Sequence, residues 1–233
     1  MPSTSPSELT VPLDGGAKTT AIVYRAAQNP IGAALILGHG AGAGQRSTFM
    51  VDFAHALSAL GIDVVTFNFL YTEQRRTIPD RAPALEACYR AVIKAACFEI
   101  DSARRRLFVG GKSMGGRIAT QVAAAEPSLH LAGLVLLGYP LHPPGRPLER
   151  RDKHLPAIRR PLLFVQGSRD TFGTPEELAP IVAALEPTPT LHVVSDADHS
   201  FKLRRKNPDA QAAVYADVQR TIANWMGSLK SEV

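Results

Sequence analysis

Short apolar runs rich in β-branched residues alternate along the chain with longer segments in which apolar positions recur every three or four residues. This alternation is typical of a mostly parallel sheet flanked by helices, so the sequence predicts an α/β fold. The predicted strands are Thr19–Arg25, Ala33–Gly38, Asp63–Asn68, Arg106–Gly110, Leu134–Gly138, Leu162–Gln166 and Thr190–Ser195. The predicted helices are Thr48–Leu60, Ala84–Phe98, Met114–Ala125, Pro175–Leu185 and Pro208–Leu229.

Local signals support two of these helix starts and two helix faces. Thr174-Pro175-Glu176-Glu177 has the form of a capping box with proline at the first helical position, and Asn207-Pro208 predicts a similar start for the last helix. One buried face is predicted in each of two helices, from Leu85, Cys88, Tyr89, Val92 and Ala96 and from Val214, Val218, Ile222 and Trp225.

The chain length favours one domain. Its 233 residues lie within the range of about 200–250 that single α/β domains reach. We expect residues 18–233 to form this domain and residues 1–17 to be a flexible tail, because the start is rich in Ser, Thr and Pro. Apolar runs are far shorter than the roughly 18 residues of a membrane-spanning helix. Since the N-terminus also lacks a secretory pattern, we predict a cytoplasmic protein without a membrane partner.

Charge and cysteine content narrow the choice of function. The net charge of +5 comes from basic residues scattered in small groups without interleaved aromatics, so no nucleic-acid partner is predicted. Cys88 and Cys97 fall on opposite faces of one predicted helix and cannot pair there. We therefore expect both cysteines to be small packing residues with free thiols, in a protein of a reducing compartment.

The segment Gly111-Lys112-Ser113-Met114-Gly115-Gly116 follows a predicted strand and opens a predicted helix. That context is the one a nucleophile elbow requires, and the glycines allow a tight, strained turn. A glycine-rich turn with a serine at the helix cap is the alternative. Ser113 is therefore a candidate nucleophile.

A serine hydroxyl needs a base and a carboxylate that orients the base. Asp170 and His199 each follow a later predicted strand, in the chain order serine, acid, histidine that this architecture uses. Asp196 and Asp198 are adjacent to His199 and would serve as the acid only if Asp170 were turned away. His55, His130 and His192 lie outside the loops that follow strands, which favours packing or surface roles.

A glycine-rich loop, His39-Gly40-Ala41-Gly42-Ala43-Gly44, follows another predicted strand. Small residues allow backbone N–H groups to approach a developing oxyanion. The expected donors are the N–H of Met114 and that of Ala41 or its neighbour Gly42. A phosphate-binding loop is disfavoured because neither P-loop nor dinucleotide spacing is present.

Together, His39–Gly42, Gly111–Arg117, Gln166–Asp170 and Asp198–Phe201 resemble the α/β-hydrolase fold, in its dienelactone-hydrolase-like branch. Asn68-Phe69, Tyr71 and Gly138–Gly145 further resemble a small compact group that includes testis-expressed hydrolase-like proteins and a chromatin-complex relative. The resemblance implies a serine hydrolase with Ser113, Asp170 and His199 as its triad. Dienelactone hydrolases proper have a cysteine nucleophile, whereas this chain has Ser113.

Further residues are candidates for substrate binding. Arg75 and Arg76 follow a predicted strand, and with Arg46 and Arg117 they could select acidic acyl substrates as a cationic rim; solvated or salt-bridged surface arginines are the alternative. His39, Gly42, Tyr71 and His142 complete the set of predicted substrate-binding residues. The proline-rich segment Tyr139–Arg160 is predicted to be a short lid, with no cap domain.

These patterns predict an enzyme that cleaves a small carboxylic ester or thioester through an acyl-enzyme, without metal or organic cofactor. Two alternatives stay open: a catalytically weak binding or scaffold protein of the same fold, and a peptidase or amidase with the same triad. No oligomeric state is predicted.

Overall fold

The computed structural model describes residues 5–229. Eight strands form one sheet in the order β1-β2-β4-β3-β5-β6-β7-β8. The strands are β1 (Ser7–Pro12), β2 (Lys18–Tyr24), β3 (Ala34–Gly38), β4 (Asp63–Phe67), β5 (Leu107–Lys112), β6 (Leu131–Leu137), β7 (Leu162–Gly167) and β8 (Thr190–Val194). Strands β3 to β8 run parallel, whereas β1 and β2 pair antiparallel at one edge. The predicted, mostly parallel α/β architecture is confirmed.

The helices are α1 (Thr48–Ala59), α2 (Leu70–Glu73), α3 (Ala82–Glu99), α4 (Asp101–Arg105), α5 (Met114–Ala125), α6 (Pro175–Ala183) and α7 (Pro208–Ser228). Two short 3₁₀ turns, Asp14–Gly16 and Leu155–Ala157, complete the elements. No helix within residues 5–229 is long and apolar enough to cross a membrane. The short helices α2 and α4 lie outside the predicted set.

The sheet separates two apolar cores. Along β3, Ala34 and Ile36 face one core while Leu35 and Leu37 face the other, as expected for a strand buried on both faces. Helices α3, α5 and α6 cover the first core, and α1 and α7 cover the second. All five predicted core residues of α3 are buried, and in α7 Val218 and Ile222 are fully buried between half-buried Val214 and Trp225. Both predicted helix faces are therefore confirmed.

The predicted helix starts and cysteine state also hold. Thr174 and Glu177 exchange side-chain and backbone hydrogen bonds in a capping box, and Asn207 accepts a hydrogen bond from the Ala210 N–H. Cys88 and Cys97 are both free thiols.

The predicted flexible tail over residues 1–17 is wrong for its described part. Residues 7–12 form β1, which pairs along its length with β2, with Val11 opposite Thr19. Val11 is fully buried and Leu9 packs on the first core, while Glu8 and Thr10 are exposed. In an edge strand with one solvent-exposed face, apolar residues alternate with polar ones, so the strand has no continuous apolar run. Residues 1–4 lie outside the described range.

Candidate active site

Ser113 lies in the sharp turn between β5 and α5. Its backbone adopts φ 50° and ψ −113°, outside the regions that residues with a Cβ normally occupy. Glycine is required at two neighbouring positions by close backbone packing: a Cβ on Gly111 would lie 2.2 Å from the Gly38 carbonyl oxygen, and one on Gly115 would lie 2.1 Å from the same atom. The turn therefore holds the Ser113 hydroxyl at the carboxyl end of the sheet, against β3.

A continuous hydrogen-bonded chain begins at the Ser113 hydroxyl. The Oγ atom lies 2.8 Å from Nε2 of His199, and Nδ1 of His199 lies 2.7 Å from Oδ2 of Asp170. Phe172 stacks on the imidazole with 4.2 Å between ring centroids. The structure thus brings together three predicted residues from the loops that follow β5, β7 and β8.

Asp170 is fully buried, and its carboxylate is held by donors on several sides. The backbone N–H of Phe172 donates to Oδ1 at 2.8 Å, and the side-chain amide of Gln166 donates to Oδ2 at 2.8 Å. Buried charge needs such partners, so this site suits an ionised carboxylate.

The other carboxylates near His199 are engaged elsewhere. Oδ1 of Asp198 accepts hydrogen bonds from the backbone N–H groups of Ser200 and Lys202 at 2.8 Å and 2.9 Å, which closes the loop that carries His199. Asp196 pairs with Arg169 at 3.1 Å. Asp170, not Asp196 or Asp198, is the carboxylate that contacts the imidazole.

The glycine-rich loop passes beside the serine: a Cβ on Gly40 would lie 3.7 Å from Cβ of Ser113. Ala41 and Met114 both line the cavity into which Ser113 opens. Within residues 5–229, the backbone N–H groups of Ala41 and Met114 donate no hydrogen bond to another part of the chain. Met114 is the first residue of α5, and N–H groups at a helix start lack acceptors within the helix. Both N–H groups are thus available to a ligand.

The cavity has a volume of about 740 Å³. Its wall combines aromatic and small apolar side chains with a few charged groups, and includes Phe49, Pro140, Phe172, Tyr215, Arg117 and Arg151. Residues 139–161 contribute to this wall without forming any helix or strand except the 3₁₀ turn, so the described chain has no cap domain over the site. Across residues 5–229, no group of three His, Cys, Asp or Glu side chains is placed to hold a metal ion.

The comparison with protein families identifies the fold. The family model described as an alpha/beta hydrolase domain matches residues 32–227. The chain belongs to the α/β-hydrolase family. The match includes the turn with Ser113 and the loops with Asp170 and His199.

Solved α/β hydrolases share this architecture. A serine hydrolase homologue from Coxiella burnetii superposes with a TM-score of 0.74 at 18% identity, covering 93% of this chain and 97% of that one. A serine hydrolase without a lid from Xanthomonas campestris superposes with a TM-score of 0.69 at 24% identity, covering 95% of this chain and 96% of that one. A dienelactone hydrolase from Anabaena variabilis superposes with a TM-score of 0.69 at 20% identity, covering 97% of this chain and 99% of that one. The predicted fold is confirmed; the resemblance to the testis-expressed group stays a prediction.

Several predicted substrate-binding residues do not line the α/β-hydrolase cavity next to Ser113. Gly42, Tyr71, Arg75 and Arg76, together with Arg46, line a second surface cavity that adjoins the first at Ala43 and Ser47. There Arg76 pairs with Asp80 at 2.6 Å, and Arg46 pairs with Glu8 at 2.9 Å. Of the four arginines in the predicted cationic rim, Arg117 alone lines the cavity of Ser113. Substrate contact by Arg46, Arg75 and Arg76 stays a prediction.

His39 and His142 are structural in this fold. The His39 ring is fully buried, with Nδ1 2.8 Å from the Gly40 carbonyl oxygen, and Nε2 accepts the Phe69 N–H at 3.2 Å. Burial lowers the pKa of His39 and favours the neutral ring. His142 contacts the Pro143 carbonyl oxygen at 2.8 Å and Glu177 at 3.2 Å. Neither ring lines the cavity of Ser113, and substrate contact stays a prediction for both.

Other residues of the site were not assigned by the sequence. Gln166 orients Asp170, and Phe172 stacks on His199. Lys112 is only 8% exposed, and its Nζ has no hydrogen-bond partner within residues 5–229. Burial lowers the pKa of Lys112 to about 8, although Asp170 and Asp198 oppose the shift. Gln166 and Lys112 lie in the two motifs that contain Asp170 and Ser113, but nothing in the sequence pattern distinguishes them from residues without a role in the site.

Proposed function

We propose that the protein is a serine hydrolase that cleaves a small carboxylic ester or thioester with Ser113, His199 and Asp170 as its triad. The observation that carries this proposal is the hydrogen-bonded chain from Ser113 through His199 to Asp170, with 2.8 Å and 2.7 Å links. Ser113, at one end of these hydrogen bonds, lines a cavity beside two N–H groups that have no acceptor in the described part of the protein. This is the arrangement that acyl transfer requires.

In the first half-reaction, Oγ of Ser113 attacks the carbonyl carbon as its proton passes to Nε2 of His199. Asp170 holds Nδ1–H and stabilises the imidazolium. The oxyanion is stabilised by hydrogen bonds from the N–H groups of Ala41 and Met114, the latter at the positive end of α5. The intermediate then collapses, His199 returns the proton to the leaving oxygen or sulfur, and the acyl group stays on Ser113.

In the second half-reaction, His199 takes a proton from water, and the resulting hydroxide equivalent attacks the acyl carbon. A second oxyanion forms in the same place. Its collapse breaks the bond to Ser113, whose Oγ recovers the proton from His199. The products are a carboxylic acid and free enzyme, with no metal or organic cofactor in either step.

The proposal is tested by labelling the purified protein with a fluorophosphonate probe. The wild type should be labelled and Ser113→Ala should not. Ser47 also lines the cavity and does not bond to His199, so Ser47→Ala is a matched control that should keep its label. We expect Ser113→Ala to lower kcat by at least about a thousandfold on p-nitrophenyl esters.

The substrate class is tested with p-nitrophenyl esters of increasing acyl length, acyl thioesters and a p-nitroanilide. Faster turnover of the esters and thioesters supports the proposal, and faster turnover of the anilide would overturn it in favour of an amidase. A folded wild type that takes no label would instead support the binding or scaffold protein. The cytoplasmic location and the absence of nucleic-acid and membrane partners remain predictions.

A further inference from the structure

Two guanidinium groups face the cavity from different elements. Arg117 lies one turn into α5, where its N–H donates to the Ser113 carbonyl oxygen at 3.1 Å. Residues four apart share a helix face, so the Arg117 side chain lies on the same side of α5 as the serine. Arg151 comes from the irregular segment after β6, and it too lines the cavity.

Within residues 5–229, neither guanidinium forms an ion pair. The Arg117 side chain makes one long hydrogen bond, 3.4 Å from Nη1 to Gln121, and its buried Nε has no partner within residues 5–229. In the same part of the chain the Arg151 side chain forms no hydrogen bond or ion pair. Burial and the nearby charge of Arg151 both lower the pKa of Arg117.

Three carboxylates near this pair are already bound by other arginines. Glu86 pairs with Arg90 at 3.2 Å, and Asp152 pairs with Arg150 at 2.6 Å. Asp80, which lines the cavity, pairs with Arg76 at 2.6 Å. The remaining carboxylate that lines the cavity, Asp52, comes from α1 and forms no ion pair among residues 5–229.

Two cations that share a desolvated wall repel each other until an anion lies between them. A guanidinium binds a carboxylate through parallel N–H donors, in a geometry that a point charge cannot reproduce. We propose that Arg117 and Arg151 bind a carboxylate carried by the substrate at a distance from the scissile bond. This inference rests on the proposed hydrolase activity and assigns it a substrate class, the anionic esters.

The carboxylate could belong to either side of the ester, and two matched pairs distinguish these sources. For the acyl side, monoethyl glutarate is compared with the ethyl ester of glutaramic acid. For the leaving-group side, 4-acetoxybenzoate is compared with 4-acetoxybenzamide. In each pair an amide replaces the carboxylate at nearly constant size, so the ratio of kcat/KM values reports recognition of charge.

We expect the wild type to prefer the anion at least about tenfold in one pair, since a charge-assisted hydrogen bond is worth about 1.4 kcal/mol or more. Arg151→Gln, which breaks no side-chain hydrogen bond or ion pair within residues 5–229, and Arg117→Gln should each remove most of that preference. Arg117→Lys should restore little of it, because lysine lacks the planar fork. Arg75→Gln is the matched control and should keep the wild-type ratio, because Arg75 is exposed and lines the neighbouring cavity.

A readout without catalysis separates this inference from the proposed function. Ser113→Ala is titrated calorimetrically with monoethyl glutarate and 4-acetoxybenzoate, with and without Arg151→Gln. Binding that depends on Arg151 supports the anion site even if turnover fails. Equal kcat/KM values for anion and amide in both pairs, in a wild type that labels at Ser113, would overturn the inference and leave the hydrolase intact. A preference that survives both Arg→Gln changes would also overturn it.

Discussion

The side chain of Gln166 connects the end of β7 to the two loops beside it. It is fully buried, accepts the Tyr139 N–H at 2.8 Å, and donates to the Gly173 carbonyl oxygen at 2.7 Å. It also donates to Asp170 at 2.8 Å. Gln166→Leu keeps the size of the side chain but removes these bonds.

The magnitude follows from the groups that lose their partners. The Tyr139 N–H and the Gly173 carbonyl are both buried, and each unsatisfied buried group costs about 1–3 kcal/mol. We therefore expect the free energy of unfolding to fall by about 4 kcal/mol. For a domain of this size the melting temperature should then drop by roughly 8–16 °C.

The assay is thermal unfolding followed by far-UV circular dichroism, supported by urea titration at 25 °C. Gln45→Leu is the matched control. Gln45 is 1% exposed, but within residues 5–229 it makes one side-chain hydrogen bond, to Thr20 at 2.7 Å, and its Oε1 has no partner there. It should cost less than about 1 kcal/mol. If the Gln166→Leu protein melts no lower than the Gln45→Leu protein, the hydrogen bonds of Gln166 do not contribute the expected stability.

Two further predictions concern the residues at the nucleophile turn. Ser113→Gly should be more stable than Ser113→Ala by about 1 kcal/mol, because alanine keeps a Cβ in a strained backbone at φ 50° and glycine does not. The greater entropy of the unfolded glycine variant offsets only part of this gain. Equal melting temperatures of the two variants would contradict the prediction. Lys112→Met should be more stable than the wild type at pH 7. Urea titrations should show this difference in the free energy of unfolding decreasing towards pH 10. The pKa of Lys112 is lowered to about 8 in the folded state, so between that pH and its ordinary value only the unfolded chain keeps the proton, and wild-type stability rises. Exposed Lys94→Met is the control and should show no such pH-dependent gap.

The sequence predicted the parallel part of the sheet well because buried parallel strands are apolar on both faces. Strands β3 to β7 contain such runs, and the helix faces followed from spacing alone. The positions of Ser113, Asp170 and His199 could also be predicted, since each follows a strand and parallel strands end at one edge.

Strand β1 could not be predicted in this way. Its apolar residues are few, and it is stabilised by hydrogen bonds to β2, which composition does not encode. Proline at its end is tolerated because β1 is an edge strand. The sequence favoured Asp170 as the acid and kept Asp196 and Asp198 as alternatives; the folded loops exclude these two, because each is engaged by other donors.

The arginines show most clearly what the tertiary structure decided. By sequence, Arg75 and Arg76 follow a strand and Arg151 lies in a proline-rich loop, so the first two were the natural candidates for a cationic pocket. In the fold, the His39–Gly44 loop lies beside Ser113, and Arg75 and Arg76 line a separate cavity from Ser113. The sequence determined which elements form and in what chain order the reactive groups appear, because these depend on local periodicity. Which side chains share one cavity depends on how distant loops pack, and on which charges already have partners.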